Sequence, residues 1–113
     1  MRIINQTKQT MIALRAQKAD TVLSRLKGLL GRESIGDDEG LIITQCGSIH
    51  MFFMRFAIDV IFVDRAHKII GVVRKIKPFQ MSPYFFRSAY VIELPPGKID
   101  QTRTELGDVV SIE

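Results

Sequence analysis

The sequence predicts a mainly β protein, a compact antiparallel sandwich or barrel of about six to eight short strands with one amphipathic α-helix. Three observations lead there. Short apolar runs rich in Ile, Val and Phe recur along the chain, each bounded by Gly, Pro, Asp or Ser clusters. Helical spacing is clear in a single stretch, residues 22–30. No internal repeat, low-complexity tract or linker interrupts the pattern, and 113 residues suit one hydrophobic core, so residues 1–113 are expected to form a single domain.

The elements follow in order. Residues 2–5 read as a short strand, and Thr10 to Ala16 as a second with imperfect alternation. Asp20 or Thr21 offers an N-cap oxygen for a helix from Val22 to about Leu30. Its Val22, Leu23, Leu26, Leu29 and Leu30 share one face, and Arg25, Lys27 and Arg32 take the solvent side. Gly31 suits the left-handed residue just past its end. Gly28-Leu-Leu-Gly-Arg32 superficially resembles a phosphate loop, but such a loop opens a helix and this one closes it.

Glu33 to Gly40 is an acidic, turn-rich loop. Its Asp37, Asp38 and Glu39 lack the alternate spacing of a calcium loop. Leu41 to Thr44 reads as a buried strand, and Ser48 to Arg55 as another extended run. Ile58 to Val63 is apolar on both faces except at Asp59, the signature of a strand buried on both sides. Asp64 to Lys68 makes a polar turn, and Ile69 to Ile76 returns as its hairpin partner. The aromatic loop Pro83-Tyr84-Phe85-Phe86-Arg87 is expected to fold its rings back over the core. Ala89 to Leu94 is a further strand ended by Pro95-Pro96-Gly97. Lys98 to Arg103 suits a short helical turn, Gly107-Asp108 a tight turn, and Val109 to Ile112 a last strand.

Composition narrows the class of protein. Hydrophobic residues make up 46% and charged residues 25%, and no apolar run approaches the ~18 residues of a membrane span. The amino terminus turns polar after Ile4, without a signal-peptide pattern, and Cys46 is the single cysteine, which has no intramolecular partner; both point to the cytoplasm. The net charge of +4 raises the prior for a polyanion partner without a recognition motif to support it.

Chemistry concentrates between Cys46 and Asp64, where a thiol, a hydroxyl, an imidazole, a guanidinium and carboxylates are set among Ile, Val, Phe and Met. Burying such groups unpaired is costly, so they must find partners. With Gly28-Leu-Leu-Gly-Arg, Gly40-Leu-Ile-Ile, Cys46-Gly-Ser-Ile-His-Met-Phe-Phe-Met-Arg-Phe-Ala-Ile-Asp, Val91-Ile-Glu-Leu-Pro-Pro-Gly and Gly107-Asp, the chain resembles the prokaryotic family catalogued as domain of unknown function 192. The resemblance spans nearly the whole chain. It implies a compact, mainly β sandwich or barrel with one helix, and no established activity. Ala57 stands where relatives often have proline, and Met51 where this branch often has threonine. Many relatives also carry a signal peptide or lipoprotein leader, which this chain is not expected to share.

Within the central stretch, a Cys46 nucleophile activated by His50 would need a turn at Gly47, because residues four apart on a strand lie roughly 13 Å apart. A packed thiol is the simpler reading. His50 shares its parity with Ser48, and His67 lies in the hairpin turn, so no zinc site and no cofactor is expected. Asp59 needs a partner, and Arg55, across a short bend, is the expected one unless backbone amides serve. Glu93 in its apolar strand is expected to reach a basic residue such as Arg74 or Lys75, and Asp108 to bond local backbone amides.

The sequence alone does not tell what the protein does. Its leading expectation is a ligand-binding or accessory module with a polar pocket drawn from Ser48, His50, Arg55 and Asp59, holding a small polar or anionic ligand. On that expectation Asp59→Asn abolishes binding in a folded protein. The alternatives are a small hydrolytic enzyme using His50 or Cys46, and a nucleic-acid or protein interaction module using Arg74, Lys75, Lys77 and the aromatic loop. The oligomeric state is not encoded in any visible pattern.

Overall fold

The computed structural model describes residues 1–51 and 54–113, and the side chains of all of these except Val22, Leu23 and Leu26. In chain order the elements are β1 (Ile3–Asn5), β2 (Thr10–Ala13), β3 (Arg15–Ala19), α1 (Val22–Lys27), β4 (Glu39–Thr44), β5 (Ile58–Val63), β6 (Ile69–Ile76), β7 (Tyr90–Leu94), α2 (Lys98–Gln101) and β8 (Val110–Ile112). They form a three-stranded sheet, β2-β1-β8, and a five-stranded sheet, β3-β4-β7-β5-β6. The mainly β sandwich expected from sequence is therefore present, with eight strands among the described residues.

The pairs are antiparallel except β3 with β4, which run parallel from Arg15 opposite Glu39 to Ala19 opposite Ile43. The run expected as one strand from Thr10 to Ala16 divides at Leu14. There the amides of Leu14 and Arg15 both donate to the Asp38 carbonyl, at 3.0 and 2.9 Å, and the chain passes from one sheet to the other. β3 buries Ala16 and Ala19 and leaves Arg15, Gln17 and Lys18 exposed, at the edge of the sheet.

The five-stranded sheet is covered on both faces. On one side Ile61, Val63, Ile92 and Leu94 meet Ile3 and Ile12 of the small sheet and Ile99 of α2. On the other, Ile58, Val60, Phe62 and Val91 meet Leu29, Ile49, Met51 and Met54. This explains why all six residues of β5 and all five of β7 are buried. It also means that a carboxylate on either strand is buried whichever way it points, and Asp59 and Glu93 occupy such positions.

α1 is shorter than its sequence pattern. Thr21 caps it, its hydroxyl accepting the Ser24 amide at 3.1 Å, while the Ser24 hydroxyl takes the Thr21 amide at 3.0 Å. The helix ends at Gly28, whose φ of +49° and ψ of −125° suit glycine and break the helical bond pattern before Gly31. Of the apolar face expected there, Leu29 is buried and Leu30 half-buried, and the side chains of Val22, Leu23 and Leu26 lie outside the described residues.

Two loops depart from expectation. No strand forms over the described part of Ser48 to Arg55, and Phe52 and Phe53 lie outside the described residues; the segment instead pairs loosely with residues 80–85. Its contacts are a bridge between His50 and Met81, the Ser82 amide on the Ile49 carbonyl, and the Ile49 amide on the Ser82 hydroxyl. In the aromatic loop only Phe85 folds back, packing on Phe62 at 4.4 Å between centroids, over Gly71, where an added Cβ would lie 2.6 Å from the ring. Phe79, Tyr84 and Phe86 are exposed.

Candidate functional site

Asp59 is satisfied by backbone. Its Oδ1 accepts the Lys75 amide at 2.9 Å and its Oδ2 the Ile99 amide at 2.8 Å. Arg55 is exposed and approaches Glu33 at 3.6 Å. Asp59 is thus held by the backbone-amide arrangement rather than by the arginine. The reason is geometric: Asp59 points to the α2 side of the large sheet, among Ile61, Val63 and Ile99, where α2 offers a donor.

Glu93 points the opposite way. It lies opposite Leu41 on β4 and Val60 on β5, on the face covered by Leu29 just past α1 and by the 46–51 segment. Its side chain is 7% exposed, and its Oε1 is the one buried side-chain nitrogen or oxygen without a hydrogen-bond partner among the described residues. The expected basic partner is absent from its surroundings: Arg74 pairs with Asp100 at 2.7 Å, and Lys75 is exposed. Burial pushes the carboxyl up to about 7.

Glu93 forms part of the wall of a cleft of about 140 Å3. Arg25, Lys27 and Gly28 border it on the helix side, Ile43, Ile49 and Met54 supply apolar wall, and Cys46, Ser48 and His50 border it on the loop side. Gly28 is needed here for its positive φ, and it lies beside the carboxyl: a Cβ built on it would be in ordinary contact with Glu93 Oε1, at 3.8 Å. Ser48 and His50, expected as site residues, therefore share one cleft, while Arg55 and Asp59 do not line it.

The turn at Gly47 that a Cys46–His50 site requires is present, and it brings Cys46 and His50 to the same cleft. The thiol, however, donates to the Ser48 carbonyl at 3.0 Å. Burial pushes it above its ordinary pKa, and the nearby Glu93 adds in the same direction, so a thiolate is disfavoured at neutral pH.

A wider surface groove of about 730 Å3 runs between residues 64–66 and 86–89, walled by Gln45, Asp64, Arg65, Phe86 and Arg87. It is shallow, and no buried unsatisfied group faces it among the described residues. The smaller cleft is the stronger candidate, because its wall holds the buried, unpartnered oxygen of Glu93.

The acidic loop is neutralised locally. Asp37 meets Lys98 at 3.3 Å, Asp38 meets Arg15 at 2.8 Å and Glu39 meets Arg32 at 3.0 Å. No group of three or more metal-binding side chains occurs among the described residues. Among these residues, too, no helix is long and apolar enough to cross a membrane.

The model of the domain of unknown function 192 family, described as an uncharacterized ACR, matches residues 3–112. The chain belongs to this family. Among curated proteins similar to this domain of unknown function 192 member is a UPF0127 protein of Thermococcus sibiricus, 33% identical over 115 residues, covering 98% of this chain and 74% of that protein. A UPF0127 protein of Pyrococcus horikoshii is 29% identical, covering 96% of each. A crystal structure of a protein of unknown function from Novosphingobium aromaticivorans has the same fold, with a TM-score of 0.87 at 22% identity over 99% of this chain and 84% of that one.

Sequence reasoning missed Glu93 as a site residue. Its signal was visible, a lone carboxylate in an apolar strand, but the sheet order that keeps Arg74 and Lys75 away from it was not.

Proposed function

We propose that the protein is a cytoplasmic small-ligand-binding module whose site is the cleft between α1 and the Cys46–His50 segment. The observation that carries this reading is Glu93 Oε1, buried in the cleft wall with no partner among the described residues. A buried polar atom left unmade costs about 1–3 kcal/mol, and a ligand that supplies its hydrogen bond recovers that cost on binding. Ser48 and His50 contribute polar edges, and Leu29, Ile43, Ile49 and Met54 contribute apolar contact.

The size of the cleft restricts the ligand. At about 30 Å3 per water-sized group, 140 Å3 accommodates roughly four or five such groups, well below a drug-sized site. With a ceiling of about 1.5 kcal/mol per non-hydrogen atom, affinities in the micromolar to millimolar range are expected. Hydrolysis by Cys46 is disfavoured by its hydrogen-bonded, protonated thiol.

The test is an amide-detected NMR screen of small polar fragments. Binding is expected to shift Gly28, Leu29, Cys46, Ser48, His50 and Glu93 together, and Ser48→Phe, which puts a ring into the cleft, is expected to abolish those shifts. Fragments that perturb only the groove at Arg65 and Arg87, or none that perturb the cleft, overturn the reading.

A further inference from the structure

We infer that the occupant of the cleft is a compact ω-amino acid or similar zwitterion, with its ammonium group on Glu93 and its acidic end at Arg25 and Lys27. This rests on the ligand-binding reading above and names the chemistry of that same site. Three features in sequence along the cleft carry it.

The inner end is the Glu93 carboxyl, 7% exposed, with Oε1 buried in the cleft wall and without a partner among the described residues. A carboxyl oxygen in that state calls for a hydrogen-bond donor, and an ammonium supplies one along with the charge that burial has removed from around Glu93. An anion or a pure acceptor placed there meets a carboxyl with nothing to offer it once ionised.

The middle is apolar. Leu29, Leu30, Ile43, Ile49 and Met54 supply apolar wall, which suits a short methylene chain, beside the polar edges of Ser48 and His50. The outer end is cationic. Arg25 is half-buried and Lys27 exposed, both on α1 and both bordering the cleft. Arg25 donates to the neutral Gln45 side-chain oxygen at 2.7 Å, and neither cation is neutralised by a carboxylate among the described residues. A ligand carboxylate at the mouth meets an arginine fork and a lysine without displacing an existing ion pair. His50 and Cys46, the remaining titratable groups of the cleft, border it on the loop side. An acid inside, apolar walls and bases outside complement a molecule that carries an amine at one end and an acid at the other.

The probes are three molecules of one chain length, γ-aminobutyrate, n-butylamine and butyrate, titrated into the whole protein and followed by amide NMR. γ-Aminobutyrate is expected to bind at least about tenfold more tightly than n-butylamine, and butyrate is expected to leave the cleft signals unmoved. Glu93→Gln is expected to weaken both amines by about tenfold or more. Lys27→Ala and Arg25→Ala are expected to lower γ-aminobutyrate to the level of n-butylamine and to leave n-butylamine unchanged; Lys27 is exposed, so that variant keeps the fold. Butyrate binding that survives Glu93→Gln overturns the inference, as does equal binding of the two amines. If neutral fragments occupy the cleft and none of the three probes does, this inference fails while the binding reading stands; if nothing occupies the cleft, the binding reading itself fails.

Discussion

The Asp59 carboxylate accepts the Ile99 amide at 2.8 Å, and this contact replaces the cap that the Pro95-Pro96-Gly97 turn does not provide. Gly97, at the N-cap of α2, has no side chain to receive an orphan N–H, so the helix start is satisfied from a strand forty residues away. The other oxygen accepts the amide of Lys75, whose φ is +51°, and steadies β6 where its register with β5 shifts.

Removing that carboxylate orphans two backbone donors at once. Asp59→Ala is expected to cost on the order of 3 kcal/mol, read as a lower urea midpoint with unchanged slope. Fragment binding in the Glu93 cleft is expected to persist in the folded fraction, because Asp59 lies on the opposite face of the sheet. Binding lost in a variant of normal stability would return Asp59 to the ligand site.

Glu93 makes stability depend on pH in the unusual direction for a carboxyl. Burial raises it to about 7, against ~4.3 in an unfolded chain. Between those values the folded state holds a proton that the unfolded state has lost, so stability falls as pH rises. The contribution is complete below about pH 4.3 and lost through pH 7, on the order of 3 kcal/mol. Glu93→Gln, which mimics the neutral carboxyl, is expected to be clearly more stable than the parent at pH 8 and little different at pH 4, measured by urea unfolding at both. A parent and variant with parallel profiles would contradict this.

The Cys46 thiol, held to the Ser48 carbonyl and raised by burial and then by Glu93, is expected to react with iodoacetamide more slowly at pH 8 than an unstructured cysteine peptide does. Denaturant is expected to restore the normal rate. Faster alkylation than the peptide would revive the nucleophile reading.

Much of the fold is readable locally. β5 announces itself because both faces of Ile58 to Val63 are apolar, and the Thr21 cap because its hydroxyl acts within one turn. What is not readable depends on partners remote in sequence. The strand read from sequence stops at Ala16, and Arg15 to Ala19, with Gln17 and Lys18 both exposed, lacks the alternation that would announce a second strand or its parallel partner. The need of Asp59 for a partner is plain from sequence, yet the partner is the backbone of α2, which offers no side-chain signal. Glu93 is the converse case. Its strand was legible, but only the order β4-β7-β5-β6 shows that Arg74 and Lys75, the bases expected from sequence, lie away from it. Ser48 and His50 reach the cleft because their segment turns at Gly47 instead of running as a strand, and the tight fit of Gly47 under Tyr84 comes from the loop beyond β6.

The most direct measurement is the titration of the Glu93 side-chain carboxyl by 13C NMR, in the protein alone and with the cleft occupied by n-butylamine. The expected midpoint is about 7 in the protein alone, falling by at least one unit when an ammonium neighbour fills the cleft. A midpoint near 4.3 in both states would mean that the carboxyl is already satisfied, and would contradict the assignment of this cleft as a binding site.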